Sequence, residues 1–247
     1  MVATRRTDLK FGLLTPVSYY GIIAQSKHGQ STGPALPAHP SYSGGRRPGA
    51  GRKRMPGRRA SVPHRQRPPH VAAHPVHVTL RSVEAVRCLR AARVFPLVRG
   101  ALVASSRADF RIIQFTVQND HVHLIAEAET RRALSSGLRG LAIRIARGVN
   151  RALGRRGRVW GDRYHVRPLA TPRVVRHALV YVLMNFRKHL KDVTGIDPCS
   201  SAAWFAGWRV PPVANAIGPP PVASARTWLA RVGWRRHGLI RLEERPK

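Results

Sequence analysis

Alternating and helical patterns of apolar residues follow one another through the middle of the chain. Val76–Arg81 alternates β-branched with polar residues, which predicts a strand. Apolar residues at helical spacing then predict a helix from about Arg93 to Arg107, with Pro96 in its first turn, where the missing N–H is harmless. Two further apolar runs, Phe110–Val117 and His121–Ala128, are joined by a short turn, and together they predict an antiparallel hairpin.

Two amphipathic helices and one strand complete this pattern. Thr130 is suited to cap the first helix, and Thr171 followed by Pro172 is a typical start for the second. Between these helices, the residues from Arg163 to Leu169 predict another strand. The apolar stripes that we expect to be buried are Leu134, Leu138, Leu141, Ile145 and Val149 in the first helix, and Val175, Ala178, Leu179, Val182, Phe186 and Leu190 in the second.

The order strand, helix, strand, strand, helix, strand, helix predicts an α+β fold. We expect a ferredoxin-like, four-stranded antiparallel sheet with helices on one face, within a domain of residues 71–192. Residues 1–70 form a basic, Gly/Pro-rich arm that we expect to be largely disordered, because it has too little apolar periodicity to bury a core. Residues 193–247 read as a Pro-containing linker and an irregular, basic, aromatic extension. The sequence leaves open whether Trp228 and Trp234 pack on the domain or grip nucleic acid.

Charge adds the first indication of a partner. The 247 residues include 44 Lys and Arg against 11 Asp and Glu, for a formal net charge of +33. Most of these cations have no anion to pair with, which favours a polyanion such as nucleic acid, although a coding bias towards arginine is an alternative. The two cysteines, Cys88 and Cys199, are far apart and exclude a disulfide scaffold or a cysteine-built zinc site.

Targeting signals are weak. Arg5 and Arg6 precede a mildly apolar run and faintly resemble an export signal, but Asp8 and Pro16 interrupt the pattern that such a signal needs. A disordered extension or an upstream start codon explains these residues better. The sequence contains no run of about 20 apolar residues, so it predicts no membrane span. We therefore expect a cytoplasmic, nucleoid-associated protein.

The candidate chemistry lies in the segment NDHVHLI, residues 119–125. His121 and His123 are two apart in a predicted strand, so both imidazoles point to one side and make half of a metal site. With 12 histidines in the chain, one such pair is close to what composition predicts by chance, so a structural role is the alternative. Tyr181 and Asn185 lie one turn apart in a later helix. A metal held by two imidazoles and an amide oxygen would keep open positions and could polarise a phosphodiester for attack by a phenol.

At these residues the chain resembles the single-tyrosine HUH transposases, and most closely the REP-associated tyrosine transposases. The resemblance rests on NDHVHLI, GRVWGDRYHVRPL and HALVYVLMNFRKH in this order, and it extends over about half of the chain. It implies that His121, His123 and Asn185 hold Mg²⁺ or Mn²⁺. It also implies that Tyr181 forms a 5′-phosphotyrosine bond with single-stranded DNA and frees a 3′-hydroxyl. Phe186 stands where the family often has proline, and the long basic extensions are not part of its minimal domain.

Single-stranded or hairpin DNA is therefore the expected partner, bound by cations and stacking aromatic rings. The candidate DNA-binding residues are Arg139, Arg144, Arg147, Trp160, Arg163, Tyr164, Arg167 and Lys188. Trp160 has an alternative role as an anchor between its loop and the core. Two other functions stay open, namely a non-catalytic nucleic-acid-binding protein that keeps the fold and an HUH nickase in replication. The sequence does not decide between a monomer and a homodimer.

Overall fold

The computed structural model describes residues 69–188, 195–212 and 216–246. The predicted N-terminal arm and Leu190 lie outside these residues. The helices and strands are β1 (Val76–Arg81), α1 (Phe95–Val103), β2 (Phe110–Val117), β3 (His121–Ala128), α2 (Arg131–Ala152), β4 (His165–Pro168), α3 (Pro172–Leu183) and α4 (Trp228–Arg231). Up to α3 this order is the predicted one, and the predicted α+β class is confirmed. Helix α1 and strand β4 are both shorter than the apolar pattern indicated.

The four strands form one antiparallel sheet in the order β2-β3-β1-β4. Strand β1 lies between β3 and β4, with Thr79 opposite both His123 and His165. In β2 the register shifts between Ile112 and Gln114. This irregularity explains why the alternation of β2 is broken at Ile113 in the sequence. The register brings β3 and the edge strand β4 to the two sides of β1.

The sheet has two covered faces, which we call the first and second faces. Val78, Leu124 and the other alternate apolar residues of β1 and β3 pack with α1 and α2 on the first face. Ile125 packs with α3 on the second face. The predicted layer of helices on one face is thus formed by α1 and α2, whereas α3 covers the opposite side.

Local capping sets where the two long helices begin. The Thr130 hydroxyl accepts a hydrogen bond from the Ala133 backbone N–H at 3.0 Å, and Thr171 does the same for Val174 at 3.3 Å. All residues of the two predicted stripes that fall within the described ranges are buried. Helix α3 ends at Leu183 and is followed by a 3₁₀ turn, residues 185–188. None of the helices in the described ranges is long and apolar enough to cross a membrane.

Most buried apolar residues of the C-terminal segment, residues 195–212 and 216–246, pack on the second face, whereas Cys199 and Val222 pack with the first-face cluster. Trp208 and Trp234 are buried in the same cluster as α3, whereas Trp228 is 49% exposed. Arg90 holds Asp197 through two hydrogen bonds of 2.7 Å, and Arg176 holds Glu244 at 2.7 and 2.9 Å. The structure thereby answers a question that the sequence left open, because Trp234 packs against the domain.

Candidate active site and nucleic-acid surfaces

His121 and His123 lie together on the second face of β3. Their ring centroids are 4.7 Å apart, and His123 is only 5% exposed. The period of two along β3 places these rings on the side of Ile125, while Val122 and Leu124 face α1 and α2. The two imidazoles therefore share the sheet surface that α3 covers.

Each of these rings is held through its Nδ1 atom. His121 Nδ1 lies 2.6 Å from Asp120 Oδ1, and Asp120 is held in turn by Arg81 at 2.8 Å. His123 Nδ1 lies 3.0 Å from Thr79 Oγ1. Burial acts to raise the pKa of Asp120, but the hydrogen bond to His121 and the charges of His121 and Arg81 outweigh it and lower that pKa. An imidazole that is oriented through Nδ1 presents Nε2 to a metal, so this arrangement suits a pair of ligands.

His77 is a third histidine in the same cluster. Its Nε2 lies 3.2 Å from His123 Nδ1, and its ring centroid lies 5.4 Å from that of Tyr181. Burial, followed by the charges of His165 and Arg167, lowers the pKa of His77 to about 4. His77 is therefore neutral at neutral pH. Its alternation within β1 was visible in the sequence, but only the β1–β3 register shows that it meets His123.

Tyr181 approaches the pair from α3. Its ring centroid lies 5.0 Å from that of His123, with the two planes at 87°, and Lys188 Nζ lies 4.3 Å from the centre of the tyrosine ring. Burial raises the pKa of Tyr181, so the phenol is protonated at neutral pH. A tyrosine in this state is a weak nucleophile unless its target is polarised.

Asn185 follows α3 instead of belonging to it, which differs from the expectation that it lies one helical turn beyond Tyr181. Its side chain is buried, and its Nδ2 has no hydrogen-bond partner among the described residues. A buried amide without a partner costs about 1–3 kcal/mol, so it is a group that a bound ligand could satisfy. The nitrogen and oxygen of such an amide are assigned from hydrogen bonding alone, so a flipped amide would place Oδ1 at the position that lacks a partner.

The kinds of side chain that lie together limit which residues could hold a metal. Within the described ranges, no group of three or more His, Cys, Asp or Glu side chains is arranged to hold an ion. Two imidazoles can therefore be supplemented only by another kind of donor, such as the Asn185 amide. With that amide included, the types of donor atom match an ion that takes nitrogen and oxygen ligands and keeps open positions.

A cleft of about 610 Å³ opens beside Tyr181, between the edge of the sheet and α3. His77, His165 and Arg167 line it from the strands, and Arg245 lines it from the C-terminal segment. Arg167 is thus the one predicted DNA-binding residue on the wall that Tyr181 shares, while Lys188 lies against the tyrosine ring. The cleft is basic, which suits a phosphate backbone.

The other predicted DNA-binding residues lie elsewhere. Arg139, Trp160, Arg163 and Tyr164 line a second cavity of about 450 Å³, beside α2 on the first face. The Trp160 indole N–H donates to the Ala142 carbonyl at 2.8 Å, which supports its alternative role as an anchor for the loop. The remaining two, Arg144 and Arg147, are exposed on α2. The predicted set is therefore divided between the two faces of the sheet.

The middle of this domain is similar to a known protein family. A family model described as "Transposase IS200 like" matches residues 97–178. The matched segment includes His121 and His123 and ends before Tyr181 and Asn185. No curated protein matches the chain.

Two solved structures are similar to the chain. One is a REP-associated tyrosine transposase bound to a REP hairpin, with 20% identity, a TM-score of 0.45, and coverage of 56% of this chain and 81% of the other. The second is a protein from Deinococcus radiodurans R1 that is provisionally assigned as a transposase, with 16% identity, a TM-score of 0.31, and coverage of 47% and 85%. Both likenesses are distant, so the family model carries the assignment. The resemblance predicted from the sequence is confirmed at this level, because residues 97–178 match the model of the IS200-like transposases.

Proposed function

We propose that this chain is a transposase-like strand transferase that cleaves and rejoins single-stranded, hairpin-bearing DNA through a 5′-phosphotyrosine at Tyr181. The observation that carries the proposal is the edge-on contact between Tyr181 and His123, whose ring adjoins that of His121. Tyrosine and histidine come from elements that are far apart in sequence. Their meeting beside a basic cleft, which Tyr181 lines, supports phosphodiester chemistry more than a purely structural role.

His121, His123 and Asn185 would hold Mg²⁺ or Mn²⁺ at this site. When bound, such an ion supplies a Lewis acid for a phosphate oxygen. Asp120 and Thr79 contact the Nδ1 atoms of the two imidazoles and keep each ring in one orientation. The protein thus contributes a rigid pair of ligands, which limits the reorganisation needed when the ion and the phosphate bind.

Tyr181 would make the new bond. Its phenolic oxygen attacks phosphorus, the bond from phosphorus to the 3′-oxygen breaks, and the leaving oxygen takes up a proton as the phenol loses one. Rejoining is the reverse step, in which a 3′-hydroxyl attacks the phosphotyrosine. Lys188 lies over the tyrosine ring and stabilises negative charge there, and Arg167 provides a phosphate contact in the same cleft. The protein would act in the cytoplasm, on nucleoid DNA.

A covalent-adduct assay tests this proposal. The full chain is incubated with Mg²⁺ or Mn²⁺ and single-stranded oligonucleotides that carry palindromic hairpins, and adducts are separated on a denaturing gel. We expect an adduct with the native chain, none with Tyr181→Phe, and none after chelation of the metal. Val103→Ala is the control, because Val103 is 50% exposed at the end of α1, lines neither cavity and should keep the adduct.

The alternative functions give different outcomes in the same assay. Binding without an adduct across a broad panel of hairpins would favour the non-catalytic nucleic-acid-binding protein. An adduct that persists in Tyr181→Phe would overturn the assignment of the nucleophile. A product that is nicked but never rejoined would favour the replication nickase.

A further inference from the structure

We propose that the cavity beside α2 is a slot for one unpaired nucleobase of the DNA, separate from the site of bond cleavage. We call it the base slot, and it is lined by Arg139, Ala142, Ile143, Trp160 and Tyr164 among others. The inference deepens the proposed function and rests on it, since the base belongs to the same DNA. It assigns a binding role to residues that the cleavage chemistry does not use.

The wall of the base slot is held in place before any ligand arrives. The Trp160 indole is bonded to the Ala142 carbonyl of α2 at 2.8 Å, which fixes the plane of its ring. The backbone around it is tied to the end of β1 and the residues that follow, through Gly161 N–H to the Arg81 carbonyl at 2.9 Å and Val83 N–H to the Val159 carbonyl at 2.8 Å. A preformed aromatic wall binds a flat ring with little loss of side-chain freedom.

The chemistry of the lining selects a base over other ligands. Ile143 is 46% exposed on α2, and it lies with Trp160 and Tyr164 in an apolar surface that a planar ring would cover. Arg139 and Arg163 border this surface and carry the charge that a phosphate backbone needs. A hydrophobic peptide would fill the apolar floor, but it would gain nothing from the two arginines. A nucleotide satisfies both parts.

Asp162 also lines the base slot, and its Oδ1 accepts a hydrogen bond from the backbone N–H of Arg163 at 2.7 Å. A carboxylate at this point disfavours a phosphate inside the slot. It can accept a hydrogen bond from the amino group of a base. The base is therefore expected to enter, with its phosphate kept at the arginine rim.

The edge strand connects the base slot with the cleavage site. Along β4 and the residue before it, Tyr164 and Val166 face the first side of the sheet, while His165 and Arg167 line the cleft beside Tyr181. Strand β4 is at the edge of the sheet. A DNA strand that runs over this edge can place one nucleotide in the base slot and another phosphate in the cleft.

The test is a scan of abasic sites. The Tyr181→Phe chain is titrated, without divalent metal, against hairpin DNA in which each unpaired position in turn lacks its base. Stacking on aromatic side chains contributes about 1–3 kcal/mol per base, so one abasic position should weaken binding by about 5- to 150-fold. Because cleavage is absent, the measured constant reports binding alone.

Substitutions of Ile143 test whether the loss of affinity at an abasic position, which we call the abasic penalty, arises in the base slot. Ile143→Glu and Ile143→Arg both fill the floor with a charged side chain but change the charge in opposite directions. We expect overall affinity to fall further in the first than in the second, because only the first adds a charge that repels DNA, while the abasic penalty disappears in both. Val103→Glu is the matched control, because Val103 is 50% exposed at the end of α1 and does not line the cavity. It should keep the penalty.

Three results would overturn the base slot. Either no abasic position weakens binding, or the penalty persists in both Ile143 variants. If an apolar peptide fails to displace the DNA, a peptide is excluded as the occupant of the base slot. If the peptide does bind in the slot and the Ile143 variants lose that binding, the proposal would also be overturned. A negative result in the adduct assay would not change the outcome of the abasic scan, because the titration measures binding by the Tyr181→Phe chain, which cannot cleave. The two proposals can therefore fail separately.

Discussion

Thr79 and His77 reach the same nitrogen of His123 from the neighbouring strand, at 3.0 and 3.2 Å. Neither residue belongs to the histidine motif that the sequence emphasised. Their contacts hold the ring of His123 through its Nδ1 atom. At the scale of single residues, the candidate site therefore depends on side chains of β1 as well as on those of β3.

Thr79→Val removes the hydroxyl and keeps the shape of the side chain. If His123 is a metal ligand, the loss of this orienting contact should weaken Mn²⁺ binding by about 10- to 100-fold, which is the usual effect of such a change. Calorimetric titration of the full chain with Mn²⁺ measures this constant. Thr79→Ser restores the hydroxyl and should bind as the native chain does. Equal affinities for Val and Ser at this position would contradict the role of Thr79.

His77 predicts a dependence of stability on pH. Its pKa is lowered from 6.5 to about 4 in the folded chain, so protons bind the unfolded state more readily between these values. Its contribution to stability is complete above pH 6.5 and is lost as the pH falls towards 4, by up to about 3 kcal/mol. Urea unfolding between pH 4 and 7, with a chelator present, gives the slope. His77→Gln cannot titrate and should show a shallower slope, and an identical slope would count against this assignment.

Helix α2 approaches the sheet closely at one glycine. Gly137 is in its interior, where glycine costs about 1 kcal/mol relative to alanine. A Cβ at this position would lie 2.4 Å from the ring of Phe110, which is fully buried. The helix can approach β2 at this point because residue 137 has no side chain. Gly140, one turn along, has no such contact with the core.

Gly137→Ala and Gly140→Ala should therefore change stability in opposite directions. We expect Gly137→Ala to lower the free energy of unfolding by about 1–3 kcal/mol through overpacking against Phe110. Gly140→Ala should raise it by up to about 1 kcal/mol, because the nearest atom to its Cβ is the end of the flexible Arg144 side chain at 3.0 Å. Urea denaturation of both variants measures the difference. Stabilisation by both substitutions would show that α2 does not press on Phe110.

Across the whole molecule, Glu127 connects the sheet to the C-terminal segment. Its carboxylate is 1% exposed and pairs with Arg111 at 3.3 Å. The same carboxylate accepts hydrogen bonds from the backbone N–H groups of Arg226 and Thr227, each at 2.9 Å, and from the Thr227 hydroxyl at 2.8 Å. One acidic side chain of β3 thus holds the start of α4, in a segment about 100 residues later in the chain.

Glu127→Gln should loosen this connection, because an amide group presents a donor where four donors converge. We expect a loss of about 3 kcal/mol in the free energy of unfolding and faster proteolysis of the C-terminal segment. Glu129→Gln is the matched control, since Glu129 is 57% exposed and its ion pairs measure 3.7 and 4.0 Å. It should cost less than about 1 kcal/mol. Equal proteolysis of the two variants would refute the role of Glu127.

Local patterns in the sequence determined the order of the elements, the caps at Thr130 and Thr171, and the common side of His121 and His123. These features follow from periodicity and from hydrogen bonds within a few residues, so they need no knowledge of the fold. The clean alternation in β1 and β3 reports which side chains share a face. It does not report what lies opposite them.

Only the tertiary structure decided which distant residues meet. Strand register brought Thr79 and His77 to His123, and the packing of α3 on the second face brought Tyr181 to the same ring. The end of α3 at Leu183 moved Asn185 into a separate turn, against the helical pattern, and the two faces of the sheet divided the predicted DNA-binding residues. The reason is physical, because register and helix packing are set by the fit of the whole core, and no short stretch of sequence contains that information.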